Sequence, residues 1–185
     1  MSFKTTGVLL VILATLGGYV YLFPPPDENA QQVTRPPYVW EVDMYDITHL
    51  DVTYQDKTVS MDWDTEQKQW HFRPESSFQG EIDQVRVNGI RLLLSGPGSK
   101  RKLEEAQGQD LAPFGLTQPT VVANITVSSG DRYRILVGDA TANGQSHYVF
   151  LDGQSEIWLV DYTWGSELAR FVQEPPLAKE PEAAE

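Results

Sequence analysis

The side chains able to do chemistry are sparse and scattered. His49, His71 and His147 are the only histidines. They fall on separate strand-like runs or at their ends, without the spacing of metal ligands, so ordinary surface or edge histidines are expected. A serine hydrolase brings a Ser, a His base and an acid together, normally at a Gly-x-Ser-x-Gly elbow, and that elbow is missing from the sequence. Asp62-Trp63-Asp64-Thr65-Glu66 carries oxygen ligands like a calcium loop but lacks the loop's glycine and its distal glutamate, so a hairpin turn is expected. Gly96-Pro97-Gly98-Ser99-Lys100-Arg101-Lys102 sets glycines beside cations as phosphate loops do, but without their spacing or their strand-to-helix setting. It reads as a solvated turn, with Lys100, Arg101 and Lys102 as candidates for contact with lipid head groups or an acidic partner. No catalytic, cofactor-binding or metal-ligating residue is assigned, and a non-enzyme is expected.

Composition narrows the classes further. With no cysteine, disulfides, thiolate metal sites, a cysteine nucleophile and a lipid-modified N-terminal cysteine are all excluded. A formal charge of −12 over 185 residues argues against nucleic acid as a partner, because phosphate binding needs clustered Lys and Arg.

The elements that must position any site follow from hydrophobic periodicity. From Tyr38 the chain breaks into short alternating runs: Leu50, Val52 and Tyr54; Val59, Met61 and Trp63; Trp70 and Phe72. These predict an antiparallel meander with one buried face. Glu81 to Ser95 predicts a helix, with Ile82, Val85, Ile90 and Leu93 on one side and Asp83 in the first turn, although Asn88-Gly89 weakens it. In Leu111-Ala112-Pro113-Phe114-Gly115-Leu116-Thr117-Gln118-Pro119, Pro113 and Gly115 shape a tight turn that presents Leu111, Phe114 and Leu116 to a neighbouring core. A second strand series follows: Val121 to Val127, Tyr133 to Val137, His147 to Leu151 and Ile157 to Val160, and Tyr162 to Val172 predicts a closing helix. The five tryptophans read as core rather than as a ligand groove.

At the amino terminus, Gly7 to Phe23 carries no charge and, counted from Phe3, reaches about 30 Å as a helix, enough to cross a hydrocarbon core. A cleaved signal peptide is the competing reading, but no small-x-small site follows the run. Lys4 before it and Asp27 and Glu28 after it predict a cytoplasmic amino terminus and a domain on the periplasmic or lumenal side. Ala14 and Gly18 form one small-xxx-small pair able to pack on a partner helix. The expected organisation is a transmembrane anchor (1–26), a Pro-rich polar linker (27–37), an α+β extracytoplasmic domain (38–173) and a disordered acidic tail (174–185). The expected fold class is α+β: one transmembrane helix, then two antiparallel β-meanders each followed by a helix.

The run from Asp110 to Pro119, the alternating strand after it, Ile135-Leu136-Val137-Gly138-Asp139, Tyr148-Val149 and Ile157-Trp158-Leu159-Val160 together resemble a bacterial family known as domain of unknown function 4340. The resemblance covers about residues 38 to 165. It implies an extracytoplasmic protein with an N-terminal membrane anchor, and for some members an accessory role beside transport systems of the gliding-motility type. It carries over no catalytic residues. The leading expectation is a membrane-anchored accessory protein that binds a membrane or envelope protein. The alternatives are a small structural subunit packed through its span, and a hydrolase or ligand-binding domain with a dispersed site.

Overall fold

Alternation of apolar and polar residues produces strands here because one face of each must be buried. The computed structural model describes residues 37–103 and 110–178, together with residues 7 and 13. The chain divides into two units, Met1–Arg35 and Pro36–Glu185, and the strands and helices that follow lie in the second.

Eight strands are formed: β1 (Ile47–Tyr54), β2 (Lys57–Asp64), β3 (Gln69–Phe72), β4 (Ser99–Leu103), β5 (Val121–Val127), β6 (Arg132–Ala140), β7 (Ser146–Leu151) and β8 (Ile157–Asp161). Among the described residues two α-helices accompany them, α1 (Gln84–Leu94) and α2 (Tyr162–Gln173). The strands make one sheet in the order β3-β2-β1-β5-β6-β7-β8-β4, and every neighbouring pair is antiparallel.

This corrects the expected fold class. The two strand series are not separate meanders each closed by its own helix; the fold is mostly β, a single antiparallel sheet with two helices. The physical reason lies in β4. The basic stretch expected as a solvated turn is an edge strand on β8, at the far side of the sheet from β3. With β4 gone to the far edge, the free edge of β1 is taken by β5 from Ile47↔Val127 to Tyr54↔Val121, which fuses the two series. The expected membrane span, with Ala14 and Gly18, lies outside the described residues apart from Gly7 and Leu13. Among the described residues no helix is long and apolar enough to cross a membrane.

One core cluster joins the inward residues of both series, such as Leu50, Val52, Met61, Ala123, Ile135 and Val149, to Leu168, Phe171 and Val172 of α2. Trp40, Trp70, Trp158 and Trp164 are buried, as core tryptophans should be. Helix α1 begins at Asp83, whose carboxylate accepts from Val85 N (3.0 Å) and Arg86 N (3.2 Å), the usual N-cap arrangement. Its buried face is Val87, Ile90, Arg91 and Leu94, whereas Val85, expected inside, is 80% exposed. The stripe is rotated because it includes Arg91. That guanidinium lies 5.2 Å from the rings of both Trp63 and Trp70 and 5.7 Å from Tyr45, so aromatic faces take the place of water around a buried cation.

The end of α1 is held from two directions. Trp40 Nε1 donates to Leu94 O and Trp164 Nε1 to Leu93 O, each at 2.9 Å, and the two indoles meet edge to face at 5.9 Å. Carbonyls in the last turn of a helix have no intrahelical donor, and here two indoles supply one each. From Glu174 to Ala178 the chain runs beside Gly80 to Asp83, through Asp83 N to Pro176 O (2.8 Å) and Ala178 N to Glu81 O (2.9 Å).

Trp40→Phe and Trp164→Phe keep an aromatic ring but remove the donor. Each is expected to lower stability by roughly 1–3 kcal/mol in urea unfolding, with the m-value unchanged. Trp40→Phe should cost more, because its hydrogen bond is buried and that of Trp164 only partly so. Equal stabilities of both variants and the parent would refute this capping role.

Candidate functional site

In an antiparallel sheet, residues directly opposite one another point to the same face. On the face away from the helices this places two polar rows across the strands. One runs His71, Asp62, His49, Thr126, Arg132; the other runs Ser60, Asp51, Asn124, Arg134. Asp152 follows β7 beside Arg134, its amide donating to Arg134 O at 2.8 Å. Together with Arg73 and Asp152, all of these residues except His71 and Ser60 line an open cavity of about 770 Å³.

The β1–β2 half of the cavity is saturated. His49 Nδ1 lies 2.6 Å from Asp62 Oδ1 and Nε2 lies 3.1 Å from Asp51 Oδ2. Only an imidazolium carries N–H on both nitrogens, so this geometry is that of the cation donating to two carboxylates. Ser60 Oγ donates to the other oxygen of Asp51 at 2.5 Å, and Arg73 Nε lies 3.3 Å from Asp62 Oδ2 while its Nη2 reaches Glu75 at 2.9 Å. The hydrogen bond to Asp51 is the largest influence on His49 and raises its pKa above the ordinary 6.5 against partial burial. Burial works to raise the pKa of Asp51, but hydrogen bonds from His49 and Ser60 outweigh it and the carboxyl ends below 3.8.

The chemistry open to this cluster is limited by its connectivity. A serine-hydrolase triad sets the imidazole between serine and acid, whereas here Asp51 sits between Ser60 and His49. Ser60 is 1% exposed, and its proton already points at a carboxylate. With both N–H groups of His49 directed at Asp51 and Asp62, no lone pair on the ring is free to take a proton from a substrate.

The other sequence-derived candidates lie elsewhere. Lys100 Nζ sits 2.7 Å from Asp161 Oδ2 and 2.9 Å from Gln145 O. Lys100 and the Thr163 hydroxyl and amide hold Asp161, the N-cap of α2, well below the usual carboxylate range. Lys102 Nζ lies 2.8 Å from Glu156 and 5.5 Å over the Trp158 ring. Two of the three expected contact cations thus tie β4 to its neighbours, while Arg101 is exposed and has no ion pair among the described residues. His147 stacks on Tyr162 at 4.7 Å and lies with Nδ1 3.2 Å from Gly138 O, apart from His49 and His71. No group of metal-ligating side chains occurs among the described residues. The Asp62–Glu66 stretch is a hairpin turn in which Asp64 accepts from Glu66 N (2.7 Å) and Gln67 N (2.9 Å). The two polar rows themselves escaped the sequence reading; the signal, polar residues alternating with core ones on β1, β2, β5 and β6, was present, but their register was not.

The tight turn of residues 111–119 seals the β6–β8 half of the same face. Phe114 packs edge to face on Tyr148 at 5.0 Å, and Gly138 leaves room for the turn, since a Cβ there would lie 2.1 Å from Phe114 O. Leu116 and Ile157 are buried apart from the main core cluster.

The His49 cluster should make stability depend on pH. A raised folded-state pKa contributes stability that is complete below 6.5 and lost as pH rises through the folded value; the depressed Asp51 contributes above 3.8 and loses its share as pH falls. The full effect therefore lies between those two values. His49→Gln is expected to destabilise the protein more at about pH 5.5 than at about pH 9, read from urea midpoints. A deficit that is the same at both pH values would remove the imidazolium from the account.

No curated protein and no solved structure matches the chain. A family model described as "Domain of unknown function (DUF4340)" matches residues 70–175, more than half of the sequence. The matched stretch contains the Phe114–Gly115 turn, the Gly138–Asp139 corner and the Tyr148 strand, which the fold packs against one another. The chain belongs to the DUF4340 family.

Proposed function

We propose that the protein is a non-catalytic accessory protein whose sheet domain binds a membrane or envelope protein, and that the uncharged run Gly7–Phe23 holds it at that membrane. The observation that carries this reading is the open polar half of the sheet. One side of that half-face is a charge cluster with its hydrogen-bonding capacity spent internally, and the remainder exposes polar groups joined, among the described residues, only by the loose Arg134–Asp152 ion pair. Such a surface can recognise a partner, and with His49 and Ser60 both engaged by carboxylates it presents no activated nucleophile. The amino-terminal run supports location at a membrane by its length and lack of charge. A partner belonging to a transport system agrees with the family resemblance.

The test is co-purification of the full-length protein in mild detergent, followed by mass spectrometry, beside a variant with residues 1–26 replaced by an unrelated membrane anchor. A reproducible set of membrane proteins that survives the replacement is the expected result. Loss of that set on replacement would move the contact from the domain to the amino-terminal segment. If no membrane protein co-purifies with either form, the accessory reading is overturned.

A further inference from the structure

On the β5–β6 side of the cavity the hydrogen-bonding capacity is unspent. Arg132 and Arg134 lie two residues apart on β6 and point to the same face, which puts their Cα atoms about 6.8 Å apart. Directly opposite them on β5 stand Thr126 and Asn124. Among the described residues, the Asn124 amide, the Thr126 hydroxyl and the Arg132 guanidinium have no hydrogen bond or ion pair. Arg134 has a single carboxylate near it, with Nε 3.9 Å from Asp152 Oδ2, beyond hydrogen-bond reach. The acids on the other side do not compete, because Asp51 is taken by His49 and Ser60, and Asp62 by His49 and Arg73. The strongest donors on this surface are the two guanidinium groups, and the ligand that matches them is anionic and rich in oxygen.

Exposure and charge narrow the ligand class. The side chain of Arg134 is 57% exposed, so the site is a ledge and does not enclose a small molecule, whereas small-ligand sites bury most of what they bind. A polyphosphate chain carries a charge on every unit and would meet only two cations here, one of which, Arg134, already has Asp152 at 3.9 Å. Resting on the partner-binding reading above, we infer that Arg132 and Arg134, flanked by Thr126 and Asn124, receive an extended acidic segment of the partner protein whose carboxylates are two residues apart. Side chains at i and i+2 of an extended chain lie on one face at the same spacing as the two arginines, so each guanidinium meets one carboxylate in a bidentate pair.

The experiment is fluorescence anisotropy on the full-length protein in mild detergent at low salt, using a fluorescein-labelled peptide of the form Thr-Asp-Thr-Asp-Thr. Binding is expected to weaken as salt is raised, and roughly tenfold with either Arg132→Gln or Arg134→Gln. Both side chains are exposed, and an unchanged urea midpoint verifies that the variants fold. No binding at millimolar peptide, equal binding to the double variant, or equal binding of the Thr-Asn-Thr-Asn-Thr peptide would each overturn the inference. Succinate competing as well as the peptide would assign the ledge to a free dianion and overturn the partner segment. The same double variant in the co-purification separates the two readings. Co-purification intact with peptide binding absent removes only this site, and arginine-dependent peptide binding with nothing co-purifying removes the membrane partner instead.

Discussion

The end of α1, held by two indole hydrogen bonds, is the constraint that links the two strand series. Trp40 comes from the segment that leads into the sheet, Trp164 from the first turn of α2, and both donate to consecutive carbonyls of the same helix end. Immediately beyond, Val42 N donates to Ser95 O, and Gly96 has φ +146° where a Cβ would meet Trp40 O at 2.1 Å. No other residue type could follow the helix there without moving the Trp40 backbone. The consequence is topological. Helix α1 starts beside β3 and hands the chain to β4, and these are opposite edges of the sheet. Fixing the helix end fixes where β4 lands, and the place of β4 leaves β1 free to pair with β5.

Both sheet edges are protected, which leaves the face of the sheet as the open surface. At β3 the side-chain amide of Gln84 imitates a neighbouring strand: its oxygen accepts from Trp70 N at 2.8 Å and its nitrogen donates to Trp70 O at 3.1 Å. At β4 the segment Pro37–Val39 covers the start, with Ser99 N donating to Pro37 O and Val39 N to Pro97 O. Pro37 has no N–H to extend that ladder, and Arg101 N turns to Ser99 Oγ at 3.1 Å. The remainder of the edge is short and cationic, the usual protection against strand addition. Lys100, Arg101 and Lys102 therefore serve the edge, and the basic stretch has a structural role that its composition alone disguises.

Much of the fold was legible in the residues, and what was missed shares one cause. Alternation located β1, β2, β3, β5, β6, β7 and β8, and periodicity over Glu81 to Ser95 located α1, because these signals are local; Asp83, expected in the first turn, proves to be the cap. Strand β4 was illegible because Ser-Lys-Arg-Lys-Leu has no apolar alternation; its extended form comes from pairing with β8, some 60 residues away in the chain, as in the Ser99↔Val160 pair. The inward face of α1 was misread for the same reason. Arg91 looks like a solvent residue until Tyr45, Trp63 and Trp70, all distant in sequence, surround it. The polar rows depend on register across five strands, and no spacing along the chain reveals that His49 stands opposite Asp62 or Asn124 opposite Arg134.

The division of the open face explains the kind of binding it can support. The turn around Phe114 and Leu116 has covered the apolar half over β6, β7 and β8, so the hydrophobic area that gives lasting association is already used within the domain. What remains free is a polar half in which acid and base are sorted: carboxylates bound up around His49 and Arg73, guanidinium groups open on β6. A contact built mainly from charged and hydrogen-bonding groups gains specificity and rate of encounter more than affinity. Binding at this ledge should therefore be reversible and sensitive to salt. If the amino-terminal run holds the domain at its partner's membrane, as proposed, that second attachment would raise the local concentration of the partner and carry much of the lasting association.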